Sequence, residues 1–263
     1  MNPNIQLALH YLEDEEGLIE FPRDIERRRK LWPENVFSHP AKFNCNLVEI
    51  VSELLCQEGQ TVLDPMSGTG TSMLAATRGM RVVLVEVEEK YHQMQQAVVS
   101  KLEIGYPQIA ERIFLINADC RKALPIPADM ILFSPPYGDM LKRKKVSGIA
   151  AEEGNEFAEL PDYSTSPYNI GKYNQFMFLQ VMEKVYKQLL ESAPLMVNVL
   201  KDRVQGKKRV DFVGQNIKLM ENVGWKLYDH VHLKAPGSRF IHIHVAEGGD
   251  WVKDESMLIM RRR

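Results

Sequence analysis

The fold of this chain is decided by the stretch Val62-Leu63-Asp64-Pro65-Met66-Ser67-Gly68-Thr69-Gly70-Thr71. An apolar strand ends at an aspartate, and small residues and glycines then lead the backbone into a helix expected to begin near Ser72. Glycines at such a turn let a ligand approach the main chain closely. The stretch lacks both the third glycine of the dinucleotide fingerprint and the Gly-Lys-Ser/Thr of a phosphate-binding loop. It therefore favours a nucleotide ligand with no phosphates to bind.

Apolar runs and helical periodicity alternate on either side of this stretch. A helix is expected to begin at Asn46, which has the side chain of an N-cap residue, and to end before Gly59. The alternation predicts a mainly parallel sheet covered by helices on both faces. The last two strands have no clear crossover helix between them and are expected to run antiparallel. Strands are predicted at 61–63, 82–87, 113–116, 130–133, 195–200, 227–233 and 257–260, with later helices at 175–190 and 212–223.

The composition is that of a globular protein. The chain has 263 residues, of which 44% are hydrophobic, enough for one large domain or two small ones. No apolar run has the length of a membrane span, and no signal peptide is recognised at the start. The three cysteines have no metal-type spacing, so we expect reduced thiols in a cytoplasmic protein.

Two acidic residues follow predicted strands at the edge where the glycine-rich turn lies. Glu86 ends the strand after Asp64, at the position where an acid accepts hydrogen bonds from ribose hydroxyls. Asp119 follows the third strand and is a second candidate, although it is equally suited to capping a helix. The competing interpretation of the glycine-rich turn and Glu86 is an ordinary turn between a strand and a helix, with a glutamate on the protein surface.

The stretch Ser134-Pro135-Pro136-Tyr137 follows the buried strand predicted at 130–133. Two consecutive prolines cannot continue a strand, because each lacks a backbone donor and has a fixed φ. The chain must leave the sheet in a stiff, extended turn that carries a hydroxyl, a free carbonyl and an aromatic ring. Open α/β sheets bind ligands at this edge. The turn is thus suited to holding a flat ring that bears an amino group.

The remaining segments are harder to assign. Residues 138–173 have little periodicity, and we interpret them as a lid or substrate loop. The cluster Lys142-Arg143-Lys144-Lys145 begins five residues past Tyr137, close enough to contact phosphates, although a mobile charged loop is nearly as good an interpretation. Residues 1–37 are polar and charged, and we interpret them as an N-terminal extension; its Arg27–Lys30 cluster is expected to be a solvated face.

The two motifs together resemble the amino-methylating DNA methyltransferases, which modify N4 of cytosine or N6 of adenine. The resemblance covers residues 38–263 and implies one catalytic domain with a Rossmann-like, doubly wound, mostly parallel seven-stranded sheet and an antiparallel edge strand. It also implies S-adenosylmethionine as cofactor and DNA, with a flipped target base, as partner. The segment His39-Pro40-Ala41-Lys42-Phe43 resembles the family segment that contacts the methionine end of the cofactor.

The resemblance assigns roles to individual residues. The catalytic residues are Ser134, Pro135, Pro136 and Tyr137, with Ser134 also at the cofactor. Glu86 would bind the ribose and Asp119 the adenine amino group. The other cofactor-binding residues would be Phe43, Asp64, Pro65, Ser67, Gly68, Thr69, Gly70 and Thr71.

Several alternatives stay open. Serine at position 134 favours cytosine by family tendency, whereas adenine is not excluded. The chain has no room for the family's separate target-recognition domain, and the cofactor loop precedes the catalytic turn instead of following it; both departures leave the target sequence open. An RNA guanosine amino-methyltransferase and a silent nucleic-acid-binding module are the competing functions. Whether a cognate nuclease exists and whether the chain forms a dimer also stay open. We predict no metal site, since His242 and His244 suit a structural or substrate-facing pair better.

Overall fold

The computed structural model describes residues 5–33, 43–136, 166–205, 207–235, 245 and 248–263. Within these ranges the chain forms a seven-stranded sheet with strand order β3-β2-β1-β4-β5-β9-β8. The strands of this sheet are β1 Thr61–Asp64, β2 Arg81–Glu86, β3 Ile113–Asn117, β4 Met130–Phe133, β5 Leu195–Leu200, β8 Trp225–Lys234 and β9 Asp254–Arg262. A separate two-stranded hairpin is formed by β6 Arg203–Gln205 and β7 Lys208–Val210.

The strand directions confirm the predicted fold class. Strands β1 to β5 pair in parallel, whereas β9 runs antiparallel to both β5 and β8. The strand order reverses between β1 and β4, and such a switch point is where open α/β sheets bind ligands. The predicted antiparallel relation of the last two strands is thus also confirmed.

Helices cover both faces of the sheet. Successive residues of a strand point to opposite faces, so Val62 and Leu132 lie in one core while Leu63 and Phe133 lie in the other. The first core is covered by α3 and α4 and the second by α6 and α7. The helices are α1 Ile5–Ala8, α2 Ile25–Leu31, α3 Cys45–Leu55, α4 Glu89–Gly105, α5 Cys120–Ala123, α6 Gln175–Ser192 and α7 Phe212–Val223.

The start of α3 differs from the prediction. Asn44, not Asn46, is the N-cap residue: its side chain accepts a hydrogen bond from the backbone N–H of Asn46. Both asparagines precede the same apolar face, so the sequence pattern does not distinguish them. The helix ends at Leu55, and Gly59 instead adopts φ +82° in the turn that leads to β1.

The described part of the N-terminal segment belongs to the main core. Ile5, Leu9 and Trp32 are buried in the same cluster as α3 and α4. Ile19 pairs with the edge strand β8, where its N–H donates to His232 O and its carbonyl accepts from Lys234 N, both at 2.9 Å. Residues 5–33 thus pack against the same core as α3 and α4, and the division of the chain into an extension at 1–37 and a domain at 38–263 stays a prediction.

None of the described helices is both long enough and apolar enough to cross a bilayer.

Candidate active site

The strand order brings the predicted site residues to one edge of the sheet. Asp64 ends β1, Glu86 ends β2, and Ser134 directly follows β4. Because β2, β1 and β4 are parallel neighbours, their carboxyl ends lie side by side. Asp119 follows β3 at the same edge. Tyr137 and Lys142 to Lys145, like His242 and His244, lie outside the described residues.

The glycine-rich turn is held against β2 by hydrogen bonds of its own residues. Both the backbone N–H and the hydroxyl of Ser67 donate to Val85 O, at 3.0 and 3.1 Å. Gly70 N then donates to Ser67 O at 2.7 Å. Gly68 and Gly70 adopt φ +51° and +78°, in the left-handed region that favours glycine. A short 3₁₀ helix, Thr71–Arg78, follows in place of the α-helix expected near Ser72.

Gln95 of α4 contacts this turn and was not identified from the sequence. Its side-chain Nε2 donates to Ser67 Oγ at 2.9 Å and to Gly68 O at 2.7 Å. The side chain is fully buried, and its Oε1 has no hydrogen-bond partner among the described residues. Buried polar atoms are rarely left unpaired. A glutamine on the buried face of an amphipathic helix is the sequence signal that could have identified this position.

Asp64 is a buried acid, and none of the hydrogen-bond partners that the described residues offer it is a cation. Ser72 Oγ donates to its Oδ2 at 2.5 Å and Met66 N donates to its Oδ1 at 3.1 Å. Burial raises the pKa of the Asp64 carboxyl to about 7, and the two hydrogen bonds offset only part of that effect. The side chain thus supports the base of the turn.

Glu86 is bound to the turn directly. Its Oε2 accepts from Gly68 N at 2.6 Å and its Oε1 accepts from Glu88 N at 2.8 Å. Burial raises the pKa of Glu86 to about 7 as well, against the effect of these two donors. A carboxylate oxygen has two lone pairs, so both oxygens retain acceptor capacity for a ligand's hydroxyl groups.

We expect these two acids to make stability fall as the pH rises from about 4 to 7. In that window each carboxyl is ionised in the unfolded chain but still protonated in the folded protein, whose pKa values lie near 7. The folded state then binds more protons, so raising the pH costs up to about 1.4 kcal/mol per unit for each group. Above pH 7 the contribution no longer changes.

Urea unfolding of the wild type and of Asp64→Asn at pH 5 and pH 7 measures the effect. The wild type should lose about 2 kcal/mol more than the variant over this interval. Carboxyls with lowered pKa values, such as Glu49, are common to both proteins and change stability at more acidic pH, so they do not mask the difference. An identical pH response of the two proteins would show that Asp64 is not titrating near neutral pH.

Asp119 is engaged by Arg121. It caps α5 by accepting from Arg121 N, and its two oxygens accept from the guanidinium Nε and Nη2 at 2.6–3.0 Å. Partial burial raises the pKa of Asp119, but these hydrogen bonds outweigh it and leave the pKa below the ordinary value. The capping interpretation is confirmed, whereas the adenine contact remains a prediction.

The described end of the 138–173 loop reaches the same edge. Glu88, buried at the start of α4, accepts from Ser166 N at 3.2 Å and from Asn169 Nδ2 at 3.0 Å. Arg121 contacts Tyr168 O at 3.1 Å and Tyr173 Oη at 3.4 Å. Two acids near the glycine-rich turn, Glu88 and Asp119, are therefore connected to residues 166–173, the first directly and the second through Arg121. Sequence patterns carry no signal for such contacts across about fifty to eighty positions.

Strand β4 ends at Phe133, directly before Ser134-Pro135-Pro136, as expected from the two prolines. Ser134 and Pro136 are half-buried and Pro135 is buried, directly after the fully buried strand β4.

Among the described residues no cluster of three His, Cys, Asp or Glu side chains is placed to hold a metal ion. Cys45, Cys56 and Cys120 are free and buried, and burial raises the pKa of each thiol to about 12.

Comparison with known proteins finds no matching family model and no similar curated sequence. Among solved structures, magnesium protoporphyrin IX methyltransferase ChlM from Synechocystis PCC 6803 with bound SAM is 12% identical, with 99% of this chain and 98% of that chain covered and a TM-score of 0.50. The structure of the same protein with bound SAH is 11% identical, with 99% of this chain and 100% of that chain covered and a TM-score of 0.51.

A third solved structure is similar over a smaller part of its length. The tRNA (uracil-54, C5)-methyltransferase from Pyrococcus abyssi, in complex with S-adenosyl-L-homocysteine, is 16% identical with a TM-score of 0.45. The alignment covers 82% of this chain but only 37% of that one. At such identities a likeness concerns the fold alone. The chain therefore has a Rossmann-like α/β fold of the kind seen in ChlM.

Proposed function

We propose that this chain is an S-adenosylmethionine-dependent methyltransferase that acts on an exocyclic amino group of a DNA base, N4 of cytosine. The observation that carries the proposal is the placement of Ser134-Pro135-Pro136 after β4, beside the glycine-rich turn that follows β1. The two motifs lie about seventy residues apart in sequence but on adjacent strands of the sheet.

The residues of the turn fit the cofactor. Residues 64–71 contain no lysine or arginine, as suits a nucleoside ligand without phosphates. Gly70 is closely packed against Met73 and Gln95, since an added Cβ would lie 2.6 Å from Met73 Cε and 2.8 Å from Gln95 Cγ, so the shape of the turn depends on a glycine here. Glu86 offers acceptors for ribose hydroxyls, and Gln95 Oε1 is a buried acceptor without a described partner. When bound, S-adenosylmethionine supplies an electrophilic methyl group.

The catalytic turn supplies acceptors for the amino group. An exocyclic nitrogen conjugated with its ring is a poor nucleophile. If Ser134 Oγ and Pro135 O each accept one of its hydrogens, the nitrogen is drawn towards a tetrahedral shape and its lone pair becomes available. This is positioning and electrostatic stabilisation without a covalent intermediate. Tyr137 would stack on the base, which must leave the duplex to be reached.

Two features of the sequence support DNA and cytosine within this proposal. Serine at position 134 is the residue that the resembling family tends to use for cytosine. Lys142 to Lys145 follow the turn closely enough to bind phosphates that flank a flipped base. A cognate nuclease and a dimer remain proposals that follow from the family resemblance.

Labelled methyl transfer followed by nucleoside analysis tests the function. The protein is incubated with labelled S-adenosylmethionine and, in parallel, mixed-sequence duplex DNA, transfer RNA and ribosomal RNA. We expect N4-methylcytosine in the DNA. N6-methyladenine would correct the base, and label only in RNA would correct the substrate. Salt-sensitive DNA binding with no label in any substrate would overturn the enzymatic proposal.

A further inference from the structure

A buried arginine lies next to the cofactor turn. Arg28 belongs to α2, in the charged cluster expected to be a solvated face, yet its side chain is 2% exposed. Its Nη1 donates to Thr71 Oγ1 at 3.1 Å. Its Nη2 donates to Phe43 O at 2.6 Å and to Asp24 Oδ2 at 2.8 Å. The Arg28 guanidinium thus connects Thr71, at the end of the glycine-rich turn, to Phe43, which precedes α3.

Trp32 makes a second contact from the same helix. Its indole Nε1 donates to Thr69 O at 2.8 Å, and the side chain is 1% exposed. The Arg28 guanidinium lies 4.9 Å from the centre of the Trp32 ring, within the range of a cation–π interaction. The two side chains therefore contact successive parts of residues 69–71 and support each other.

These contacts concern the two segments assigned to the cofactor. Thr69 and Thr71 belong to the glycine-rich turn, and Phe43 belongs to the segment expected at the methionine end. The Thr71 hydroxyl and the Thr69 carbonyl are each bound by the N-terminal segment, so these atoms serve the shape of the turn.

We propose that residues 24–32 form part of the cofactor site, with Arg28 and Trp32 as positioning residues that fix the glycine-rich turn and the Phe43 segment relative to each other. The inference rests on the proposed function, because it assigns the ligand of that turn. A ligand that spans both segments binds more tightly when their relative position is fixed before it arrives.

A purely structural role would predict a different side chain. Burying a charged group is expensive, and a well-packed apolar residue in place of a buried ion pair is often neutral or stabilising. Helix α2 also has an independent attachment, since both Nη atoms of Arg27 donate to the two oxygens of Glu49 in α3 at 2.5 Å. Arg28 is thus not required merely to dock the helix.

Two conservative variants and one control test the proposal by calorimetric binding of S-adenosylhomocysteine. Arg28→Lys retains the charge but cannot form the forked set of bonds, and Trp32→Phe retains the ring but loses the donor to Thr69 O. We expect the Kd to rise about 10-fold for Arg28→Lys and about 3-fold for Trp32→Phe, which is the effect of one or two lost hydrogen bonds. Arg29→Lys, whose side chain is exposed and bound only to Glu26 in the described contacts, is the control and should bind like the wild type.

The remaining readouts separate positioning from stability. Thermal unfolding of the ligand-free proteins shows whether each variant is folded, and if Arg28→Lys does not fold, Trp32→Phe decides. The variants should raise the KM for S-adenosylmethionine and leave DNA affinity without cofactor unchanged. Wild-type-like affinity in folded variants would overturn this inference alone. A wild type that binds no S-adenosylhomocysteine would overturn the proposed function, and this inference with it.

Discussion

Replacing Ser134 by alanine should lower kcat about 100-fold or more while changing cofactor affinity far less, because loss of one preorganised polar contact to the reacting group has an effect of that size. Ser134 follows the buried strand β4 and is half-buried at the edge of the sheet where the glycine-rich turn lies. Its hydroxyl would accept one amino hydrogen of the base, and alanine leaves only the Pro135 carbonyl to do so. The buried strand and the two prolines keep the backbone in place, so the change removes one acceptor and little else.

Single-turnover methylation of DNA and calorimetric binding of S-adenosylhomocysteine give the two quantities needed. Ser100→Ala is the matched control: Ser100 is an exposed residue of α4 whose hydroxyl bonds only to Gln96 O in the described contacts, and its loss should change neither value. A kcat for Ser134→Ala within about threefold of the wild type would remove Ser134 from the mechanism. A parallel loss of cofactor affinity would assign it to the cofactor pocket instead.

The sheet could be predicted from the sequence because its strands are short, apolar and separated by helices. Strand β4, Met130–Phe133, has the predicted bounds, because a run of four apolar residues before two prolines is typical of a short buried strand. β8 and β9 extend two or more residues beyond the prediction at one or both ends. The ends of both strands contain charged residues such as Lys226 and Arg261. These two residues pair across the sheet, but a local sequence pattern does not predict such a pairing.

Candidate site residues that lie in local motifs can be proposed from the sequence, whereas the residues that hold those motifs in place cannot. Asp64 and Glu86 stand at strand ends, and sequence spacing is enough to find them. Arg28 contacts Thr71 across 43 positions, and Trp32 contacts Thr69 across 37. A run of four basic residues usually indicates a solvated face. Arg28 is buried instead, because tertiary contacts that composition does not reveal enclose its side chain.

Replacing Gly70 by alanine should weaken cofactor binding about 30-fold, as both backbone strain and steric overlap displace the turn. Gly70 has φ +78°, a conformation that costs an L-residue about 1 kcal/mol or more. An added Cβ would also lie 2.6 Å from Met73 Cε and 2.8 Å from Gln95 Cγ. Met73 is flexible at its end, but Gln95 is fully buried and bonded to Ser67 and Gly68, so its displacement pulls on the same turn.

Gly59 offers a control that separates strain from overlap. Its φ of +82° is close to that of Gly70, but nothing lies within 4 Å of an added Cβ. Gly59→Ala should therefore lose about 1 kcal/mol of stability, as Gly70→Ala also does through its backbone, while binding S-adenosylhomocysteine with the wild-type Kd. If both variants bind like the wild type, the turn at Gly70 does not contact the cofactor. If both weaken binding equally, the loss comes from global stability, and the close approach of Gln95 to the turn has no part in it.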